Sequence, residues 1–574
     1  MERLRGAGFL SADTPPAQQF IPERLDAEAR ELAATAAAFL HREVLPLIPR
    51  LEAREPGLMD DLVRRAGEAD LLGIEVPAQY GGIGADHRTV TLLAEGLSQY
   101  ASFVATAGLH SGIGTWPVRY FGTRAQRERW LPRFASGATL SAYCLTEPGS
   151  GSDALSLVTK AQRDGENYRL TGTKQFISNG AISGVFTVFA RLPDDGVTAF
   201  LVERGPGVTP GAEEKKLGLR GASTTSLALD AAPAELLGEP GKGHRVAFNC
   251  LNLGRLRLGS GCLGFAKQAL EVATRYSLER KQFGKSLSEF GLIQQKLGDI
   301  AARIFGLESL VYRAAGCYDA ALAGIDAEAD GAATAIGRAL AEFSVEASAA
   351  KVLGSEVQAL AVDETVQVLG GYGYIEDYPA ARFYRDARGN RLYEGTSEIN
   401  RLLMAGTVLK RIAAGDLTEG PALEVGNDLL ADARRVLAAN RRDVWAFARA
   451  LLPRFGAGLE QEQEVLGRFA DMLMDLLALD ASVARAEELV ATTPESAWTV
   501  PALVTLLAVQ SREALLARGR VLTARLGDAP GARELASRLA AEPTPADAIE
   551  LARACARLTI DAAGYPLGWV GSRG

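Results

Sequence analysis

The chain has 574 residues, of which 47% are hydrophobic, 23% charged and 7% aromatic. That is the composition of an ordinary globular protein and too long for one hydrophobic core, so several domains are expected. A net charge of −8 and a pI near 5.4, with no dominant basic stripe, exclude nucleic acid as the partner class. Five cysteines without a CxxC pair read as reduced thiols, and four scattered histidines without HExxH spacing predict no metal.

The first residues, MERLRGAGFLSADTPP, show no apolar core of signal-peptide length. No stretch approaches the roughly 20 apolar residues of a spanning helix, so a soluble, cytoplasmic protein is expected. After this arm (1–22), residues 23–140 read as a helical domain. Leu32, Ala36, Phe39 and Leu40 recur at helical spacing, as do Leu62, Ala66 and Leu71. The run VPAQYGGIGAD (Val76–Asp86) interrupts them as a loop. Residues 141–242 change character: SLVTKAQ, YRLTGTKQFI, VFTVFARL, VTAFLVE and TTSLALD are short β-rich runs with no helix between them, which predicts an antiparallel sheet domain. Helical patterning returns over 243–413, where FSVEASAAKVLGSEVQALAVDETVQVLGG ends on a glycine pair suited to a helix stop. A linker over 414–422 leads to a further helical domain, 423–574, with Leu473, Leu476, Leu477, Val483 and Ala484 along one face. The fold class is α+β, mostly α.

Two glycine patterns carry less than they promise. GSGCLG (Gly259–Gly264) matches GxGxxG, but it lies inside an Ala-rich helical run, where small residues permit close helix packing. GSGSDA (Gly149–Ala154) follows a strand but precedes more strands, so it is no Rossmann turn. Glycines there still let backbone amides approach a flat or anionic ligand. Glu394, in YEGTSEINR (Tyr393–Arg401), is the candidate general base; read alone, it would be a surface carboxylate paired with Arg391 or Arg401.

Taken together, the blocks AYCLTEPGSGSD (Ala142–Asp153), KQFISNG (Lys174–Gly180), ERKQFGKSLSEFGLIQQK (Glu279–Lys296), QVLGGYGY (Gln367–Tyr374) and YEGTSEINR, in this order and on an α–β–α domain sequence, resemble the acyl-CoA dehydrogenases. The resemblance runs from about Arg24 to about Lys410, and FGLIQQK with the helical tail is most similar to the very-long-chain branch. It implies the acyl-CoA dehydrogenase fold and FAD as cofactor. Tyr143, Leu145, Thr146, Gly151, Ser152, Phe176 and Ser178 would line the flavin. Arg280, Gln282 and Phe283 of a neighbouring subunit, with Gln367 and Gly371, would hold the adenine and pyrophosphate end, and Thr396 and Glu398 would also touch the cofactor. Family members often carry tryptophan in place of Phe176 and threonine in place of Ser178. Shorter-chain relatives have glutamine in place of Gly291, so that glutamine's hold on the cofactor is either missing in this chain or passes to Gln294.

Glu394 would be the catalytic base, and Ser152, Asn252, Arg255, Glu394 and Gly395 would contact acyl-CoA. Asn252 stands where shorter-chain members often have aspartate, and Arg255 also reads as a structural ion-pairing residue. The chemistry fits these residue types. The α-proton of a thioester is weakly acidic, a desolvated carboxylate is a stronger base, and backbone N–H groups suit an enolate-like oxygen.

The reaction implied is oxidation of acyl-CoA to trans-2-enoyl-CoA, an oxidoreductase acting on CH–CH donors in fatty-acid β-oxidation. The small residues of HSGIGT (His110–Thr115) lean towards medium to long chains. Electrons would pass to an electron-transferring flavoprotein. Rival readings on the same fold are a flavin oxidase or monooxygenase, and a non-catalytic assembly factor. A homodimer is expected, with the tail standing in for the second dimer of the family's tetramer. The segment Glu424–Arg442 carries charges of both signs, so peripheral membrane association is not favoured.

Overall fold

The computed structural model describes residues 4–12, 14–329, 331–421, 425–493, 496–541 and 546–572, so the junction of the expected linker and tail at 422–424, Glu424 included, lies outside the described residues. The chain divides into two units. One comprises Asp26–Arg257 and Ala321–Ala341. The other comprises Met1–Leu25, Leu258–Ala320 and Glu342–Gly574.

In the first of these, helices come before the sheet. They are α1 (Ala27–Phe39), α2 (Ile48–Glu52), α3 (Leu58–Glu68), α4 (His87–Leu97), α5 (Ala101–Phe103), α6 (Trp116–Phe121) and α7 (Arg124–Ala135). Asp26 caps α1 by accepting from the Ala29 N–H, and α1 buries Ala36 and Phe39 of the predicted face together with Ala29 and Ala33, while Leu32 is half-buried. The expected loop over 76–86 contains a 3₁₀ turn at Ala78–Tyr80 and left-handed glycines at Gly81 and Gly84. Between α5 and α6, Val104–Gly108 and His110–Gly114 form π-helical turns.

The sheet contains β1 (Ser141–Cys144), β2 (Lys160–Asp164), β3 (Asn167–Ser178), β4 (Val185–Leu192), β5 (Gly196–Glu203), β6 (Val208–Pro210) and β7 (Thr224–Leu237). Its order is β1-β4-β2-β3-β7-β5, with β6 on β7, and β5 pairs back to β4. The sheet therefore closes on itself and leaves few free edges. The pairs β2–β3, β3–β7, β4–β5, β5–β7 and β6–β7 are antiparallel, as expected. β1, arriving from the helical segment, joins β4 in parallel, and β2 touches β4 in parallel at Lys160–Arg191. Cys144, Leu170, Phe186, Val188, Phe200 and Leu227 fill the interior. The start of α8 (Gly243–Glu279) and most of a later helix, Ala332–Glu342, complete this unit.

The other unit is helical. After the rest of α8 come α9 (Gly291–Leu322) and then, past α10 (Ala332–Glu342) of the first unit, α11 (Ser344–Leu369), α12 (Gly371–Tyr374), α13 (Pro379–Ala387) and α14 (Ser397–Ala413). The tail supplies α15 (Ala431–Phe455), α16 (Gln463–Thr492), α17 (Ser496–Leu526), α18 (Ala532–Ala541) and α19 (Ala548–Asp561). α11 stops where the glycine pair predicts, with Gly370 at φ 61°. GSGCLG is helical, and a Cβ on Gly259 would fall 2.7 Å from the Ala350 carbonyl oxygen, so the glycine allows α8 to meet α11 closely. One helix departs from the reading that none is apolar enough to span a membrane. Trp498–Leu526 passes by length and hydropathy, although 61% of that apolar window is buried here against protein.

Both ends of the chain meet around one buried cluster of charges. Glu308 of α9 accepts from Lys267, from Arg485 Nη1 at 2.7 Å and from the Tyr565 hydroxyl at 2.7 Å, while Arg485 also binds Glu23 of the N-terminal arm. All five cysteines are buried and none forms a disulfide among the described residues, and burial pushes the thiols of Cys144, Cys262, Cys317 and Cys555 up to about 12. Such thiols are unreactive.

Candidate active site

Glu394 lies in the short turn between Arg391 and α14, with φ 59°, followed by Gly395 at φ 78°. A left-handed glutamate is disfavoured by on the order of 1 kcal/mol, and such strain concentrates where surrounding structure enforces it for use. The enforcing groups come from within the bundle. Asn400 Nδ2 donates to the carbonyls of Glu394 (3.3 Å), Gly395 (2.9 Å) and Thr396 (3.0 Å). Lys351 Nζ, from α11, donates to the Gly395 carbonyl at 2.9 Å. Both side chains are fully buried. Thr396 caps α14 by accepting from the Ile399 N–H, and Glu398 is exposed in the first turn, its carboxyl held below the usual range chiefly by the helix-end N–H and Thr396. Arg401, one of the two partners (with Arg391) expected of a merely structural Glu394, is bound to Asp471 (2.6 Å) and Glu356. Tyr393 donates its hydroxyl to Asn390, which in turn donates to Gln358 at 2.6 Å.

Elsewhere in the same unit, Lys281–Gln282 pairs with Lys285–Ser286 in a hairpin whose two turn residues, Phe283 (φ 51°) and Gly284 (φ 82°), are both left-handed. Such turns favour Asn-Gly, so a phenylalanine 95% exposed at this position satisfies neither the turn nor a core. Arg280 stands over the Tyr372 ring at 5.8 Å, beside Gly371, and Tyr372 packs on Tyr378 and Tyr276. Arg280, Gln282, Phe283, Gln367 and Gly371 are all exposed. Gln294 donates to the Ser288 carbonyl at 2.9 Å within its own turn.

In the sheet-bearing unit, the loop after β1 is held from beneath. Lys174 Nζ, fully buried, donates to Glu147 Oε1 (2.7 Å), the Phe189 carbonyl (2.6 Å) and the Leu145 carbonyl (3.3 Å). Glu147 also accepts the N–H groups of Val158 and Thr159. Burial alone would raise the Glu147 carboxyl, but Lys174 and these N–H groups hold it below the usual range. The Gln175 N–H donates to the Thr146 carbonyl at 2.9 Å, which joins the loop to β3. Phe176 follows in a bulge of the β3–β7 ladder at φ 55°, with its ring exposed, and half-buried Ser178 ends the strand. Tyr143 donates to the Ala247 carbonyl at 3.2 Å. On α8, buried Arg255 donates to buried Asn252 at 2.9 Å.

This surface suits a flavin. An isoalloxazine system needs a flat face and nearby polar groups, which Phe176, Thr146 and Ser178 provide. No atom lies within 4 Å of where a Cβ on Gly149 or Gly151 would sit, so backbone and ligand can approach closely there. Within the sheet-bearing unit the structure thus brings together Leu145, Thr146 and the strand bearing Phe176 and Ser178, and separately pairs Asn252 with Arg255. Gly151 and Ser152 are exposed in the loop. Within the helical unit it joins Glu394, Gly395 and Thr396 through Asn400, and Arg280 with the Gly371 segment. The sequence reading missed Lys351, Asn400, Glu147 and Lys174 as supports. The one signal for Lys351 was a lone cation inside the run ASAAKVLGS.

Comparison with known proteins matches three family models in chain order: acyl-CoA dehydrogenase, N-terminal domain (residues 26–138), middle domain (142–232) and C-terminal domain (241–409). A probable acyl-CoA dehydrogenase of Bacillus subtilis (strain 168) is 39% identical over 509 residues, 85% of each chain. The mitochondrial very long-chain specific acyl-CoA dehydrogenase of Homo sapiens is 37% identical over 354 residues, 59% of this chain and 51% of that one. A crystal structure of an acyl-CoA dehydrogenase complexed with FAD, from Bacillus anthracis, superposes with a TM-score of 0.94 at 36% identity, over 98% of this chain and 100% of that one, helical tail included. The chain belongs to the acyl-CoA dehydrogenase family, FAD-dependent oxidoreductases acting on CH–CH donors.

Proposed function

We propose that the protein oxidises acyl-CoA to trans-2-enoyl-CoA, with Glu394 removing the α-proton. The observation that carries this is the left-handed Glu394, clamped through its own carbonyl and the next two. A base on a fixed backbone loses little freedom on reaching its proton. When bound, FAD supplies the acceptor for the hydride that leaves the β-carbon as the α-proton moves to the Glu394 carboxylate. The Glu394 N–H is assigned to the thioester oxygen, and Asn252, Arg255, Ser152 and Gly395 to the CoA thioester end. Tyr143, Leu145, Thr146, Gly151, Ser152, Phe176 and Ser178 are assigned to the flavin. Arg280, Gln282, Phe283, Gln367 and Gly371, with Thr396 and Glu398, are assigned to the rest of FAD.

The exposure of Phe283 supports a homodimer in which one protomer's hairpin serves its partner's cofactor. An electron-transferring flavoprotein is the proposed acceptor, fatty-acid β-oxidation in the cytoplasm the proposed setting, and medium to long chains the proposed substrates. The small residues of HSGIGT lend chain length no support. A Cβ on Gly112 would fall 2.6 Å from Arg257 and 3.3 Å from the Trp116 ring, so this glycine accommodates packing. The lean towards longer chains rests on 37% identity to a very long-chain specific relative, which the 35% identity to a short-chain specific one of Bos taurus nearly equals.

The test is an anaerobic titration of the purified flavoprotein with straight-chain acyl-CoAs of increasing length. Bleaching of the flavin band by one length class, lost in Glu394→Gln, is expected. A bound flavin that no acyl-CoA bleaches would overturn the assignment, and rapid peroxide release in air would favour an oxidase.

A further inference from the structure

A buried ammonium is expensive unless hydrogen-bonded, and an apolar residue of similar length would fill the same space without that desolvation. Lys351 nevertheless stands in α11 among Ala349, Ala350, Val352 and Leu353, all buried. Its Nζ reaches the carbonyl of Gly395, the residue after Glu394, at 2.9 Å. The same oxygen accepts from Asn400 Nδ2 at 2.9 Å, so two donors from two helices converge on one peptide group. Asn400 adds bonds to the carbonyls on either side. The result fixes three successive peptide planes next to the side chain that the reaction uses.

Helix α11 is tied to the α14 region at other places, of which the Arg401 pair lies outside this turn while Asn390 also accepts from the Tyr393 hydroxyl within it. Asn390 donates to Gln358 at 2.6 Å, and Arg401 binds Glu356. Holding the two helices together therefore does not require a lysine at 351. Unlike those ties, Lys351 and Asn400 bond directly to backbone carbonyls of the left-handed Glu394–Gly395 segment.

We infer that Lys351 and Asn400 are positioning residues for proton abstraction, a paired clamp on the Gly395 carbonyl that sets where the Glu394 carboxylate points. The inference rests on the reading of Glu394 as the base. Loss of the clamp frees Glu394 to relax towards right-handed backbone, which swings its Cα–Cβ bond away while leaving the remaining ligand-binding groups in place. The effect belongs to the proton-transfer step and not to affinity.

The test uses the full chain with FAD bound and 3,3-dimethyldecanoyl-CoA, which carries α-hydrogens but no β-hydrogen and so can exchange a proton without being dehydrogenated. NMR follows exchange of its α-hydrogens in D2O per bound ligand. Lys351→Met and Asn400→Ser are each expected to slow exchange about a hundredfold while dissociation constants stay within about twofold. Lys351→Arg, which keeps a donor, is expected to recover part of the rate. Arg401→Gln, which cuts a tie outside the turn, is expected to lower the denaturation midpoint and leave exchange unchanged. If Lys351→Met does not fold, Asn400→Ser decides by the same readout, since the buried cation stays in place. Exchange at the parent rate in the clamp variants overturns the inference, as does an Arg401→Gln loss equal to theirs. No exchange in the parent chain, matching Glu394→Gln, would instead sink the reading of Glu394 as the base.

Discussion

Two loops of this molecule are each held by a fully buried lysine, and they are held in different ways. Beneath the loop after β1, Lys174 meets a carboxylate, Glu147, as well as two carbonyls. Beneath the Glu394 turn, Lys351 meets a carbonyl already shared with Asn400. Removing Lys174 leaves a buried carboxylate without its cation, a loss felt by the whole fold. Removing Lys351 leaves the Gly395 carbonyl with Asn400 still bonded to it, and its expected effect is on the geometry of the Glu394 turn. The same residue type thus secures stability in one unit and direction in the other.

The largest expected effect lies with the side chain that the second loop presents. Glu394→Gln should cut the rate of flavin bleaching about a thousandfold or more, with FAD content unchanged, as read by anaerobic stopped-flow absorbance. Lys174→Met should break the comparison from the other side. It is expected to cost about 3–5 kcal/mol in chemical denaturation, with flavin lost as the sheet loosens. Retention of full stability would show that Glu147 is adequately served by the Val158 and Thr159 N–H groups alone.

One buried group in each unit responds to pH in the opposite sense to the other. Burial lowers His110 to about 4, although its Nε2–H donates to the Phe134 carbonyl, and its Nδ1 accepts the Ser141 N–H at the start of β1. A folded pKa below the unfolded value means that its contribution is present above about 6.5 and is lost as pH falls towards 4. Burial raises Glu346 of α11 to about 7, although the Ala7 N–H of the N-terminal arm favours the anion, and Arg313 and Glu342 act on it in opposite senses. A folded carboxyl pKa above the unfolded value means that its contribution is present below about 4.5 and is lost as pH rises through about 7. Each amounts to on the order of 3 kcal/mol at most, and the two slopes oppose each other between these limits. In urea titrations across this range, His110→Asn should expose a loss of stability as pH rises, and Glu346→Gln a loss as pH falls. The smallest effect should come from the exposed Arg533–Asp528 pair in the tail, where Arg533→Ala is expected to change stability by less than about 0.5 kcal/mol.

The sequence made some of this legible and hid the rest for physical reasons. Periodicity marked the helices and the strand runs because burial of one face repeats locally, as in α1 and along Leu473–Ala484. Glu394 stood out through its neighbours. The parallel pairing of β1 with β4 was hidden, since it joins Ser141 to Val185 and no local pattern encodes a partner that far along the chain. The left-handed backbone at Phe176, Phe283 and Glu394 was hidden too, because nothing in a bulky or charged residue announces a conformation that its surroundings impose. Lys351 and Lys174 misled most, since lysine in a helix or strand ordinarily reads as solvated surface.

The knot on Glu308 bears on how the protein is made. Residues 26–257, which form most of the sheet-bearing unit, emerge from the ribosome as one stretch and can fold as they appear. The helical unit has no such freedom. Glu308 is synthesised midway, Arg485 much later and Tyr565 almost last, while Glu23 has been waiting since the start. The Glu308–Lys267 pair can therefore form as soon as α9 is made, whereas Arg485 with its Glu23 partner joins it only once α16 has followed, and the Tyr565 hydroxyl later still.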